Sequence, residues 1–219
     1  MKRTSEQTVY LMIIIASFTL FIYIISVLPE KGALPMEKSV SEWMAETVSE
    51  PVTAFWKKTS WMGSSLFIIG ATLLLSGLMS VRTGWRTAIM IPIAVAVSYG
   101  MNTWIKSWIN RPRPAAAWGI EAEGASFPSA NAMLACTLYG LIALLYWRYS
   151  TKGKLAKTIV AACAVMLIVI IGWSRLYFSV HYALDIVAGY DAALAVISGF
   201  MLLQSRRAAK EAHSDLGRE

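Results

Sequence analysis

Six uninterrupted apolar runs dominate this chain. Each is long enough to cross a bilayer, which takes about 20 helical residues for about 30 Å of hydrocarbon. They fall near 8–28, 61–81, 87–104, 129–147, 156–173 and 183–203 of the 219 residues. Runs this closely spaced leave no space for a soluble domain. The sequence therefore predicts an all-α, polytopic membrane protein, a six-transmembrane-helix bundle forming one domain over 1–219 with a polar, fraying tail from about Gln204. The first run lacks a small-residue cleavage site and is longer than a typical signal-peptide core, so it is read as a permanent helix. Cys136 and Cys163 both fall inside runs, where small buried apolar residues are expected rather than a disulfide.

The net charge of +7 raises the question of nucleic acid, and its distribution answers it. In a six-span arrangement twelve basic residues share one side: Lys2, Arg3, Arg82, Arg86, Arg148, Lys152, Lys154, Lys157, Arg206, Arg207, Lys210 and Arg218. The other eight (Lys31, Lys38, Lys57, Lys58, Lys106, Arg111, Arg113 and Arg175) are nearly balanced by seven glutamates. This asymmetry is the mark of cytoplasmic loops, so both termini are expected in the cytoplasm. The charge is topogenic, and nucleic-acid binding has no support.

The first long external loop runs from Leu28 to Ser60. Val40, Trp43, Met44, Thr47 and Val48 recur there at helical spacing with glutamates between them, and Trp43, Phe55, Trp56 and Trp61 suit a lipid–water boundary. One or two short amphipathic helices are expected, serving as a plain connector or as a lid over a lipid entry gap. The tight basic turn Arg82–Arg86 makes spans two and three antiparallel neighbours, and Pro92 is placed to kink span three.

Three polar clusters interrupt this pattern. Ser174–Asp185 packs an arginine, a histidine and an aspartate between two apolar runs. His181 and Asp185 stand four apart, so on a helix they share one face, where the aspartate can hold one ring nitrogen and leave the other free to attack. Arg175 adds a planar fork suited to phosphate oxygens. The second cluster, Lys106 to Pro114, carries Lys106, Arg111 and Arg113 stiffened by two prolines. In the third, Phe127–Asn131, Ser129 is placed as a helix N-cap, and small Ala130 leaves the amides beside it open to an anion. Each has a modest alternative: interfacial anchoring, a stray histidine, a simple cap. In the six-span topology, however, all three land on the same face, which points to one shared anionic site.

Here the residues resemble a family, the type 2 phosphatidic acid phosphatases. Its first motif, K-x6-R-P, is met by Lys106, Arg113 and Pro114. Its third, S-R-x5-H-x3-D, is met by Ser174, Arg175, His181 and Asp185. The resemblance spans roughly 106–185 and is nearest to bacterial phosphatidylglycerophosphate and undecaprenyl-diphosphate phosphatases. It implies a lipid phosphatase of the cell membrane, working at the extracytoplasmic face on a phosphorylated glycerolipid or polyprenyl diphosphate, with no metal or other cofactor. By the same resemblance His181 is the nucleophile, passing through a phosphohistidine, and Asp185 orients it. Lys106, Arg113, Ser129, Ala130 and Arg175 bind the phosphoryl group, and Arg111 is a possible headgroup contact.

The second motif departs from its usual P-S-G-H. It reads Pro128-Ser129-Ala130-Asn131, so Asn131 stands where the family has its general-acid histidine. Asn131 can hydrogen-bond a leaving oxygen but cannot protonate it. The chain's other histidine, His213, lies in the tail, on the opposite side of the membrane in this topology. Two further readings follow: a weakly catalytic relative that binds anionic lipid, suggested by Asn131, and a transporter, suggested by the intramembrane Asp191.

Overall fold

The computed structural model describes residues 2–30, 32–114 and 118–216, with side chains described from residue 5 to 207 within those ranges. Lys31 and Arg218, and the side chains of Lys2, Arg3, Lys210 and His213, lie outside the described residues. Among the described residues the regular structure is all helical, with nine helices in order. These are α1 (Lys2–Val27), α2 (Pro35–Glu46), α3 (Glu50–Trp61), α4 (Ser65–Thr83), α5 (Trp85–Ala88), α6 (Met90–Ile109), α7 (Ala130–Tyr149), α8 (Lys154–Tyr177) and α9 (Ala183–Leu216). Six segments are long and apolar enough to cross a membrane: Ser5–Val27, Ser65–Thr83, Trp85–Ile109, Ala130–Tyr149, Lys154–Tyr177 and Ala183–Arg207. Their outward faces are apolar, with Leu66 77% and Val81 88% exposed, as hydrocarbon permits and water would not.

The core is organised on α7. Met133, Ala135, Leu138, Leu141 and Leu145 are fully covered, because α7 packs against α4, α6, α8 and α9 and is apolar all round. α1 lies along α9. Close approach is set by Gly189, where an added Cβ would stand 2.7 Å from the Ser129 carbonyl. This draws the start of α9 onto the first turn of α7, a small-residue contact typical of membrane helices.

Pro92 acts near the start of its span. Without an N–H it cannot bond the Ala88 carbonyl one turn back, and the span divides there into α5 and α6. The Ser76 hydroxyl of α4 donates to that carbonyl instead, at 2.8 Å. The turn before it closes on Gly84 at φ +77°, and α4 packs antiparallel against α5 and α6.

Two expectations are corrected. α9 continues past Gln204 to Leu216 rather than giving way to a frayed tail, since Gln204 and Ser205 are buried and Gln204 Nε2 donates to Tyr149 Oη at 2.7 Å. Cys136 is buried, but Cys163 lies on the exposed face of α8; neither is paired.

The first loop folds into α2 and α3. The buried face of α2 carries Glu37 and Met44, flanked by half-buried Val40 and Ser41, while Trp43 and Val48 are largely exposed. The stripe is thus rotated from the purely apolar one, and one of the glutamates expected in solvent is inside. Trp43 still meets Trp173 of α8 edge-on, at 6.1 Å between ring centroids.

Candidate active site

The three polar clusters converge at one end of the bundle, held by helix ends and loops. α6 terminates at Asn110, whose left-handed backbone (φ +47°) turns the chain sharply into the arginine loop. Ser126 folds that loop back on itself: its N–H donates to the Arg111 carbonyl at 2.8 Å and its hydroxyl to the Pro112 carbonyl at 3.0 Å. The peptide between Phe127 and Pro128 is cis. The chain then enters α7, where Ser129 is the N-cap residue as expected, but its hydroxyl caps nothing. The buried Oγ has no protein partner, while the Ser129 N–H donates to the Asp185 carbonyl at 2.8 Å. The first-turn amides that follow, with small Ala130 among them, have no intrahelical acceptor.

His181 and Asp185 are together, though not on one helical face. His181 precedes α9, which starts at Ala183. Asp185 occupies the third position of that helix and reaches back, so that its Oδ2 accepts the Tyr182 N–H at 2.9 Å, half of a capping box. The same Oδ2 stands 3.5 Å from His181 Nδ1. The aspartate therefore caps the helix and faces the imidazole with one oxygen. His181 is buried, and burial pushes its pKa down to about 4, with Arg175 and Arg113 acting in the same direction and Asp185 opposing.

Arg113 stands against the other imidazole nitrogen. Arg113 Nη1 is 3.3 Å from His181 Nε2 and donates to the Val180 carbonyl at 2.7 Å. Further bonds to the Gly124 and Glu123 carbonyls fix its fork, and burial lowers its pKa. Arg175 is buried at the end of α8, with Nη1 donating to Ser60 Oγ of α3 at 2.7 Å and its Nε unpartnered. Lys106 Nζ, one turn from the end of α6, donates to the Ala125 carbonyl. Asn131 is half-buried beside Gly63, where an added Cβ would come within 3.2 Å of its side-chain nitrogen.

Arg111 is the exception. It is buried, donating to Asp185 Oδ1 at 2.7 Å and to Glu37 Oε2 at 2.6 Å, with its guanidinium over the Tyr182 ring at 4.1 Å. Burial lowers its pKa, but the bonds to Glu37 and Asp185 outweigh that and the net shift is upward. Glu37, Ser60 and Ser126 were missed in the sequence. Only Glu37 left a signal, standing at the head of the Val40–Ser41–Met44 stripe. Asp191 is buried in the membrane segment with the Ser17 hydroxyl of α1 as its hydrogen-bond partner.

Six helices long and apolar enough to cross a membrane thus end at a buried histidine–aspartate pair with Arg113 against its outer nitrogen. The chain belongs to the PAP2 superfamily, which matches residues 87–209 and makes it a membrane phosphatase. It is 27% identical over 143 residues to phosphatidylglycerophosphatase B of Bacillus subtilis strain 168, covering 64% of this chain and 70% of the relative. The fold is that of the crystal structure of the first transmembrane PAP2-type phosphatidylglycerolphosphate phosphatase from Bacillus subtilis. That match has a TM-score of 0.82 at 20% identity and covers 88% of this chain and 96% of the other. Aquifex aeolicus LpxE matches with a TM-score of 0.58, also at 20% identity, over 78% and 96% of the two chains.

Proposed function

We propose that this protein removes a phosphate from phosphatidylglycerophosphate, undecaprenyl diphosphate or both, at the extracytoplasmic face of the cell membrane, through a phosphohistidine at His181. The observation that carries this reading is the position of Arg113 against His181 Nε2, with Asp185 behind Nδ1. It is supported by the curated relative, a phosphatidylglycerophosphatase, and by the charge asymmetry between the two ends of the bundle.

In the first step Nε2 of neutral His181 forms a bond to phosphorus, and the bond from phosphorus to the lipid-side oxygen breaks with its electron pair. The leaving oxygen keeps its charge as a phosphate or takes a proton from water. Asp185 holds the Nδ1 proton and offsets the positive charge developing on the ring. Lys106, Arg113 and Arg175, with the free Ser129 hydroxyl and the amides opening α7, meet the charge on the three phosphoryl oxygens in the loose transition state. In the second step water attacks phosphorus and gives up a proton to bulk solvent, the N–P bond returns its electrons to Nε2, and inorganic phosphate leaves.

A second reading, a weakly catalytic binder of anionic lipid, is favoured by one observation: Asn131 stands where the family motif has its general-acid histidine. A vanadate-sensitive phosphate-release assay on the purified protein in detergent separates the two. Turnover by the wild type that is lost in His181→Ala supports the phosphatase; lipid binding with no release in either protein supports the binder.

A further inference from the structure

Glu37 lies on α2, outside the membrane-crossing helices and 148 positions before Asp185 in the sequence, yet it is 1% exposed. A carboxylate is rarely so buried unless its bonds justify it, and Glu37 has four. Its Oε2 accepts from the Leu34 N–H at 3.0 Å, closing the start of its own helix, and from Arg111 Nη2 at 2.6 Å. Its Oε1 accepts from the Leu184 N–H at 3.2 Å and lies 3.3 Å from Arg111 Nη1. Leu184 N–H is an orphan donor in the first turn of α9, directly before Asp185. One side chain thus caps the start of α2, caps the start of the helix that carries Asp185, and grips the arginine that grips Asp185.

We propose that Glu37 is a positioning residue of the phosphatase centre. It acts through Arg111 and the first turn of α9 to hold Asp185 against His181, so that docking of α2 completes the site. This rests on the phosphatase reading above and deepens it. Asp185 Oδ1 is taken by Arg111 and Oδ2 faces the imidazole, so the angle of the carboxylate is set by where Arg111 sits. Arg111 in turn is fixed between two carboxylates and the Tyr182 ring. Because Glu37 shares the charge of Arg111, Asp185 keeps enough negative character to hold the imidazole proton. α2 is therefore part of the catalytic support, rather than a connector.

The charged and titratable groups facing this cluster are Glu37 from α2, Lys106 from α6, Arg111 and Arg113 from the loop, Arg175 from α8 and Tyr182 before α9. Removing the Glu37 charge leaves Arg111 wholly to Asp185 and makes the surroundings of His181 more positive. The test compares Glu37→Gln, which keeps shape and loses charge, with Glu37→Asp, which keeps charge, and with Glu42→Gln on the exposed face of the same helix. Two readouts are taken: kcat and KM, and the ring-nitrogen NMR signals of protein labelled with 15N-histidine, with His213→Gln assigning the two residues. Glu37→Gln is expected to lower kcat by up to about 100-fold with KM little changed, and to move the His181 titration to lower pH. Glu37→Asp recovers the titration and part of kcat, and Glu42→Gln matches the wild type.

Unchanged His181 signals in Glu37→Gln would overturn the proposal, as would a loss confined to KM. Equal collapse of the Gln and Asp variants would also overturn it, because charge would then be irrelevant. The NMR readout needs no turnover. If the wild type releases no phosphate, the phosphatase reading falls while the effect of Glu37 on His181 is still measured.

Discussion

Arg113 and His181, 68 positions apart in the sequence, meet with a guanidinium nitrogen 3.3 Å from the imidazole nitrogen expected to attack phosphorus. A fixed cation at that point favours a negatively charged phosphoryl group there and disfavours a protonated ring. Geometry and charge thus ask the same thing of His181, that it stay neutral until the nucleophilic step.

That demand has a pH signature. Burial first, then Arg175 and Arg113, hold the pKa of His181 at about 4 against an ordinary 6.5. A protonated ring cannot attack, so kcat/KM should hold as pH falls through 6.5 and decline only as it falls through about 4. Arg113→Gln removes one depressing cation and should move this acidic limb upward, besides lowering the rate. A pH profile of kcat/KM in the two proteins checks both. An acidic limb at 6.5 in the wild type, unmoved by Arg113→Gln, would contradict the electrostatics described here.

Arg111 and Arg113 should fail differently. From the motif register alone Arg111→Ala is expected to be the milder change. The structure reverses this, because removing Arg111 leaves the buried carboxylates of Glu37 and Asp185 without their shared cation. Breaking such a buried pair costs about 3–5 kcal/mol. Arg111→Ala should therefore lower both thermal stability and activity, whereas Arg113→Ala, whose partners are backbone carbonyls, should lower activity with little loss of stability. Melting temperatures in detergent alongside kcat decide this, and an Arg111→Ala protein as stable as the wild type would refute it.

The sequence made the six spans legible because membrane helices must be apolar over a fixed length, which leaves a long, unambiguous signal. It also placed the three clusters at one end, since topology alone puts alternate loops on one face. What it hid were contacts set by three-dimensional approach. Glu37 stands at the head of the buried stripe of α2, but its neighbouring glutamates are solvated and no local pattern points to a partner 74 positions away. Ser60 is one serine among many until α3 docks beside Arg175. The spacing of His181 and Asp185 suggested a helical face, whereas the pair is built from a helix start, where an aspartate at the third position caps and orients at once.

Asn131 sets a prediction about substrates. An alkoxide leaving group gains from protonation in the transition state, and such help is typically worth about 100- to 10,000-fold. A phosphate leaving group gains little. Asn131→His should therefore raise kcat/KM for phosphatidylglycerophosphate more than for undecaprenyl diphosphate. If Asn131 only positions the leaving oxygen or a water, a ring beside Gly63 would instead lower both rates together. An equal change for the two substrates would refute the proton-supply argument.

The central claim is that His181 carries the phosphoryl group, and trapping that intermediate tests it most directly. Wild-type protein in detergent is mixed with phosphatidylglycerophosphate, stopped with alkali to preserve an acid-labile N–P bond, digested and read by mass spectrometry. The account predicts a phosphoryl group on the peptide containing His181, and none in His181→Ala, which releases no phosphate. Turnover by His181→Ala, or a phosphoryl group trapped on a different residue, would contradict it.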